Sequence, residues 1–117
     1  MAQHITLTPE LMKALYDALD MTAPFSRWNL PDSDDMKFKV TRTVKEFGYC
    51  AGNGPFTIYM SARLHSTLPI MLATMAHEMI HIRQAMLGDV RGGHGKIFAK
   101  LADQVCAVHG FDRNSFG

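Results

Sequence analysis

Two histidines and a glutamate in the segment His77-Glu78-Met79-Ile80-His81 have the spacing that a helix uses to hold a catalytic metal. Four helical residues turn through about 400° and rise about 6 Å, so both imidazoles lie on one face and can bind one zinc ion. Glu78 is turned about 100° from His77, which suits a general base acting on metal-bound water better than a ligand. The motif is short, so it requires a helical context and a third ligand.

The third ligand is predicted to be His94, which lies thirteen residues after His81 in Gly92-Gly93-His94-Gly95. We expect His94 in the first turn of the last helix, where the positive end of the helix dipole favours the neutral imidazole that a metal needs. Three protein ligands leave a fourth zinc position for water, as in catalytic sites. The sequence therefore predicts one Zn²⁺ per chain and hydrolysis of peptide bonds.

Three helices are predicted to position these residues. The first runs from about Pro9 to Met21 with Thr8 as its cap, and the second runs from a cap at Ser66 or Thr67 to Gly88. The third begins at His94-Gly95 and ends at Gly110. Apolar residues at helical spacing define the buried face of the second helix, opposite its histidines: Leu72, Met75, Met79, Ile82 and Met86. The same spacing predicts the buried face of the third: Ile97, Phe98, Leu101, Val105 and Val108.

Three short strands are predicted before the second helix. Apolar and polar residues alternate from Met36 to Thr41, a second extended piece runs from Thr43 to Tyr49, and a third strand covers Phe56 to Ser61. Such strands suggest an antiparallel or mixed sheet with one face on the helices. The predicted fold class is α+β, with three helices on a small three-stranded sheet and the motif on the central helix. Trp28 is expected to be anchored in the core.

The strand before the motif helix is a candidate for substrate binding, because a free strand edge can pair with an extended peptide. Its residues are Phe56, Thr57, Ile58, Tyr59, Met60 and Ser61. A hydrolytic site also needs a donor that stabilises the developing oxyanion. The candidates are Tyr49, Tyr59, His65 and Arg91, and the sequence does not choose among them.

Length and composition bound the other functions. The 117 residues, 47% of them hydrophobic, suit one domain spanning 1–117 with its own core. A formal charge of +1 gives no global reason to expect nucleic-acid or membrane binding, and the sequence lacks a signal peptide or apolar span, so we expect a cytoplasmic protein.

Cys50 and Cys106 allow one disulfide or two thiols, and thiols are favoured. Lys37, Lys39, Arg42 and Lys45 form a basic side of the sheet, for which solvation is favoured over nucleic-acid contact.

From Tyr49 to Leu101 the chain resembles the SprT-like family, which includes the Spartan protease domain. The resemblance lies in Cys50-Ala51-Gly52, the strand ending in Met60-Ser61, Leu68, Ala76 with the motif after it, and Gly93-His94-Gly95 with Phe98. It implies a minimal zincin-like metalloprotease in which His77, His81 and His94 bind zinc and Glu78 is catalytic.

The resemblance also implies substrates and partners. Spartan-type members cleave proteins crosslinked to DNA and are activated by DNA, so DNA is one expected partner beside a protein or peptide substrate. This chain has no cysteines for the zinc ribbon that often follows the family's core, and the short interval before His94 predicts an open site. Such a form is similar to SprT-like proteins of phages and other mobile elements. Two alternatives stay open, a peptidase that does not use DNA and a catalytically silent zinc-binding module that engages a host or virion protein. The sequence does not indicate an oligomeric state.

Overall fold

A computed structural model describes residues 5–52, 54–65, 67–89 and 92–116. The first helix, α1 (Pro9–Asp20), is followed by two short 3₁₀ turns, Phe25–Arg27 and Ser33–Asp35. The strands are β1 (Lys37–Thr41), β2 (Gly48–Ala51) and β3 (Thr57–Ser61). Three helices follow: α2 (Leu68–Met86), α3 (Lys96–His109) and the single turn α4 (Arg113–Phe116). The class is α+β, with three long helices and a small three-stranded sheet, as predicted.

The three strands form a mixed sheet in the order β1-β3-β2. β3 lies in the centre, parallel to β1 from Lys37 opposite Thr57 and antiparallel to β2 from Gly48 opposite Met60. Ile58 and Met60 are fully buried against the helices. The opposite face of the sheet carries the exposed Lys37 and Lys39. The prediction of a mixed sheet with one face on the helices is confirmed.

The second strand lies later in the chain than predicted. Residues 43–47 do not form a strand, and β2 occupies Gly48–Ala51. The oxygen of Thr43 accepts a hydrogen bond from Ser61 Oγ at 2.5 Å, and the oxygen of Phe47 accepts one from Ser61 N at 2.9 Å. Since Thr43 Oγ1 also accepts from Lys45 N at 3.1 Å, the segment bends around the end of β3.

The first helix is capped as predicted. Thr8 Oγ1 accepts a hydrogen bond from Leu11 N at 3.1 Å, and Pro9 occupies the first helical position, where its missing N–H costs no intrahelical bond. Trp28 is buried and meets Phe25 edge-on with ring centroids 5.0 Å apart, which confirms its anchoring in the core.

The central helix α2 packs against α1, α3 and β2. Met75, Met79 and Ile82 are fully buried, which confirms most of the predicted stripe, whereas Met86 at the helix end is 40% exposed. On α3 the prediction is wrong for Ile97 and Val108, which are exposed. Phe98, Leu101 and Val105 are buried together with Ala102 and Cys106. The buried face of α3 is therefore rotated away from Ile97 and Val108, towards Ala102 and Cys106.

Two further findings concern the helices. The short helix α4 was not predicted; it packs against α2 and α3, and its Phe116 is buried. Within the described residues, no helix has the length and apolar character needed to cross a membrane.

Candidate metal centre

Three histidines that are distant in sequence converge beside α2. His77 and His81 project from adjacent turns of α2, and His94 lies in the turn that precedes α3. Each offers a ring nitrogen, and these three nitrogens lie within 4.8 Å of one another. His77 and His81 are half-buried and His94 is exposed. The convergence agrees with the predicted set, although His94 stands two residues before α3 and not in its first turn.

Hydrogen bonds fix the orientation of the two helical imidazoles. Nδ1 of His77 lies 2.9 Å from the carbonyl oxygen of Phe116, and Nδ1 of His81 lies 2.5 Å from Oε1 of Gln84. Both partners are acceptors only, so each Nδ1 carries the proton and each Nε2 keeps its lone pair. Burial lowers the pKa of both rings, to about 4 for His77, which keeps them neutral. Both rings therefore have the protonation state of a metal ligand.

The distance between the two Nε2 atoms fits a shared cation. They lie 3.3 Å apart, and with both protons on Nδ1 no hydrogen bond can join them. Two lone pairs at this distance repel each other unless a cation lies between them. Two nitrogens bound to one tetrahedral zinc at about 2.0–2.1 Å are separated by about 3.3 Å, so the separation of this pair of donors fits zinc.

Phe98 forms an aromatic floor beneath all three histidines. Its fully buried ring stacks on His94 with centroids 4.3 Å apart, and its centroid lies 4.9 Å from that of His77 and 5.0 Å from that of His81. Because α3 holds Phe98 three residues after Gly95, the same helix that follows His94 also supports the rings on α2.

Gln84 links the centre to the loop that carries His94, and sequence reasoning missed it. Its side chain is 1% exposed. Besides accepting from His81, it donates from Nε2 to Asp89 Oδ2 at 3.0 Å and to the Gly93 carbonyl at 3.1 Å. The two acceptors around Nε2 fix the orientation of the amide. Its position three residues after His81 on the same helix face was the available signal.

Glu78 is buried beside the histidines without full hydrogen bonding. Its side chain is 3% exposed, and no described residue provides a hydrogen-bond partner for Oε1. Burial, helped by the nearby charge of Glu46, raises the pKa of Glu78 to about 8. A buried carboxylate oxygen without a partner is costly and requires an explanation, which a functional site provides.

The histidines and Glu78 face an open groove of about 560 Å³, which we call the site cleft. One wall is α2, the second is the edge of the sheet at β2, and the third is the glycine-rich loop before α3. The lining residues are Gly48, Tyr49, Cys50, Gly52, Phe56, His77, Glu78, His81, Gln84, Ala85, Gly88, Asp89, Gly92, Gly93 and His94.

The predicted substrate edge is wrong in its position. Thr57, Ile58, Tyr59, Met60 and Ser61 form β3 with Phe56 just before it, but both edges of β3 are already paired, with β1 and with β2. A strand with two neighbours has no free main-chain groups for a peptide. The strand edge beside the cleft belongs to β2, whose residues Gly48, Tyr49 and Cys50 line it.

The four candidate oxyanion donors have different positions. His65 is wrong as a donor, because it is buried with Nδ1 2.8 Å from the oxygen of Ser61 and Nε2 2.7 Å from Thr74 Oγ1. Tyr59 is not among the cleft-lining residues, and its ring stacks on that of Tyr49 with centroids 4.3 Å apart. Tyr49 is a cleft-lining residue. Arg91 lies outside the described residues.

The fold and the cluster define a class of protein, an α+β domain whose central helix supplies two of three histidines able to hold a metal ion. The sequence pattern of the SprT-like family matches residues 12–115, nearly the whole 117-residue chain, and the protein belongs to this family. The resemblance noted in the sequence is confirmed. A search of curated proteins gave no match. Family membership points to a metalloprotease-type function.

Proposed function

We propose that this protein is a zinc-dependent endopeptidase in which His77, His81 and His94 bind one Zn²⁺ and Glu78 is the general base. Buried Glu78 carries this proposal: its Oε1 lacks a partner among the described residues, and it lies in the same cleft as the three histidines. A buried carboxyl oxygen without a partner destabilises the fold, and a function in the cleft would explain why this cost is retained. A cleft residue that takes and releases a proton is such a purpose.

The roles of the residues follow from their contacts. Zinc would supply a Lewis acid that polarises the scissile carbonyl and activates a water. Glu78 takes a proton from the attacking water and delivers it to the leaving amine. The Phe116 carbonyl and Gln84 keep His77 and His81 in the tautomer that presents Nε2 to the cleft.

The alternative of a silent zinc module has less support. A structural zinc site is closed by four protein ligands, whereas the cluster among the described residues has three. A silent site would also give buried Glu78 no function. The cleft is open to solvent over the described part of the chain, so peptides have a route to the histidines.

The decisive experiment compares wild type with Glu78→Gln and His94→Ala. Each zinc-loaded protein is incubated with a fluorescently labelled unfolded protein, and zinc content is measured on the same samples. Glu78→Gln should keep about one zinc per chain and lose cleavage, and His94→Ala should lose both. Glu10→Gln, an exposed residue of α1, is the matched control and should cleave like wild type. Zinc-loaded wild type that cuts neither this substrate nor itself would favour the silent module, and the absence of zinc would contradict both functions.

The proposal includes DNA-bound proteins as substrates. The outer face of the sheet carries exposed Lys37 and Lys39 beside the stacked rings of Tyr49 and Tyr59, which combines positive charge with stacking surface. Labelled single-stranded DNA should bind wild type more weakly as the salt concentration rises. The affinity of Lys39→Gln should depend less steeply on salt than that of the control Lys100→Gln on α3. A protein that cleaves the unfolded substrate but binds no DNA at low salt is a peptidase that does not use DNA.

A further inference from the structure

A second cavity of about 590 Å³ lies next to the site cleft and has a different character. We call it the apolar pocket. It lies between the start of α2, the segment before β2 and the short helix α4. Its walls are mainly the apolar residues Phe47, Pro69, Ile70, Ala73 and Phe116, and the exposed carboxylate of Glu46 stands among its lining residues.

The apolar pocket and the site cleft meet at the candidate metal centre. His77, Glu78 and Gly48 line both cavities. A chain that passes the histidines therefore has the glycine-rich cleft on one side and the apolar pocket on the other.

The edge of β2 provides main-chain groups along this path. Because Ser61 N donates to Phe47 O, alternation along the antiparallel pair places the N–H and C=O groups of Gly48 and Cys50 on the free edge. Glycine at position 48 allows β2 to lie close to both β3 and α2, since a Cβ there would lie 2.7 Å from the oxygen of Tyr59 and 3.1 Å from Thr74 Cγ2. An extended peptide can thus pair with Gly48 and Cys50 beside His77 and Glu78.

The direction of β2 assigns a side of the scissile bond to the pocket. β2 begins at Gly48, near the apolar pocket, and its later residues Tyr49 and Cys50 line the site cleft. A peptide that pairs antiparallel to β2 runs in the opposite direction, from the cleft into the pocket. Antiparallel pairing is the more stable arrangement per residue. The pocket then receives the residue that follows the cleaved bond.

We propose that the apolar pocket is a specificity subsite for a large apolar side chain, such as leucine, methionine or phenylalanine, immediately after the cleaved bond. This inference rests on the proposed peptidase function. Burying such a side chain supplies about a 10- to 100-fold preference over a polar one. The negative charge of Glu46 repels acidic side chains, so aspartate and glutamate should be the least preferred residues at this position.

The first test uses a library of extended peptides that vary around one scissile bond, with cleavage products identified by mass spectrometry. The released C-terminal products of wild type should begin with leucine, methionine or phenylalanine at least about 10-fold more often than with aspartate or glutamate. Ala73→Phe, which fills the pocket, should reduce this preference. Cleavage without any preference at this position, or with the apolar residue before the bond, would overturn the inference and leave the peptidase function intact.

A charge placed in the pocket gives a matched comparison. Ile70 in the pocket is 41% exposed and Ile97 on α3 is 40% exposed, so lysine fits at both positions without burying a charge. Ile70→Lys should shift the preferred residue towards aspartate and glutamate, and Ile97→Lys should retain the apolar preference. Equal specificity in both variants would contradict the assignment of the pocket.

A binding measurement separates failure of the subsite from failure of catalysis. Labelled peptides with leucine or aspartate at the chosen position are titrated into zinc-loaded Glu78→Gln, and fluorescence anisotropy gives the affinities. Tighter binding of the leucine peptide, lost in the Glu78→Gln, Ala73→Phe double variant, supports the subsite even if wild type cuts nothing. Equal affinities for both peptides count against it.

Discussion

Gln84→Met is the sharpest test of how the metal centre is held. Methionine has nearly the same length and makes no strong hydrogen bonds, so the substitution keeps the packing and removes polar contacts. It deletes the acceptor 2.5 Å from His81 Nδ1 and the donors that hold Asp89 and the Gly93 carbonyl. His81 then loses the partner that fixes its tautomer, and the turn next to His94 loses its link to α2.

The magnitude follows from these bonds. Loss of a partner that orients a ligating histidine typically lowers metal affinity about 10- to 100-fold, or about 1.4–2.7 kcal/mol. The three lost hydrogen bonds also lower the free energy of unfolding by about 1 kcal/mol each, up to about 3 kcal/mol in total. A domain of ordinary stability survives this loss, so zinc affinity can be measured on folded protein.

Zinc affinity is measured by competition with a chromophoric chelator, and unfolding is measured by urea titration of the zinc-free proteins. Gln104→Met is the matched control, because Gln104 is an exposed glutamine on α3. We expect Gln104→Met to bind zinc like wild type and Gln84→Met to bind it about 10- to 100-fold more weakly. An affinity of folded Gln84→Met within twofold of wild type would refute the assignment of Gln84 as a positioning residue.

Two further predictions concern the surroundings of the centre. Phe98→Ala should lower the free energy of unfolding by about 3–5 kcal/mol in urea titrations, because it empties a fully buried site beneath three imidazoles. Phe98→Leu should lower it by less. Equal losses in the two variants would contradict the role of the ring as a floor. Burial lowers the pKa of His65, so the unfolded chain takes up a proton at this residue more readily than the folded chain does, and the contribution of His65 to the stability of zinc-free protein is lost as pH falls below about 6.5. Buried His77 and His81 act in the same direction, and Glu78, whose pKa is raised to about 8, acts in the opposite direction. His65→Gln should therefore make the slope of unfolding free energy against pH between 7.5 and 5.5 less positive than in wild type, and an unchanged slope would count against His65.

The centre was predictable where its geometry is local. His77 and His81 are four residues apart on one helix, and the buried Met75, Met79 and Ile82 determine which way they point. His94 was predictable because a short loop returns the chain to α2. Its offset from α3 was not, since Gly95 caps that helix and leaves His94 in the preceding turn.

The parts that depend on distant pairings were not predictable. Alternation identified β3 but not its neighbours, and because β1 pairs with β3 in parallel, β2 is left at the edge beside the cleft. His65 had no spacing signal, and only tertiary contact shows that it joins Ser61 to Thr74. The Phe116 carbonyl, 39 positions after His77 in the chain, is likewise brought to the centre by the short helix α4.

Each histidine of the centre is held by a different part of the chain, which couples the metal site to the whole fold. The Phe116 carbonyl orients His77 from α4, Gln84 orients His81 within α2, and Phe98 supports His94 from α3. Two facing lone pairs and a buried Glu78 oxygen that has no partner among the described residues are costly in the metal-free chain. A cation removes the first cost, so metal binding and folding must reinforce each other. A cation beside the histidines also favours the ionised form of Glu78, which lies in the same cleft, so metal binding lowers the second cost as well.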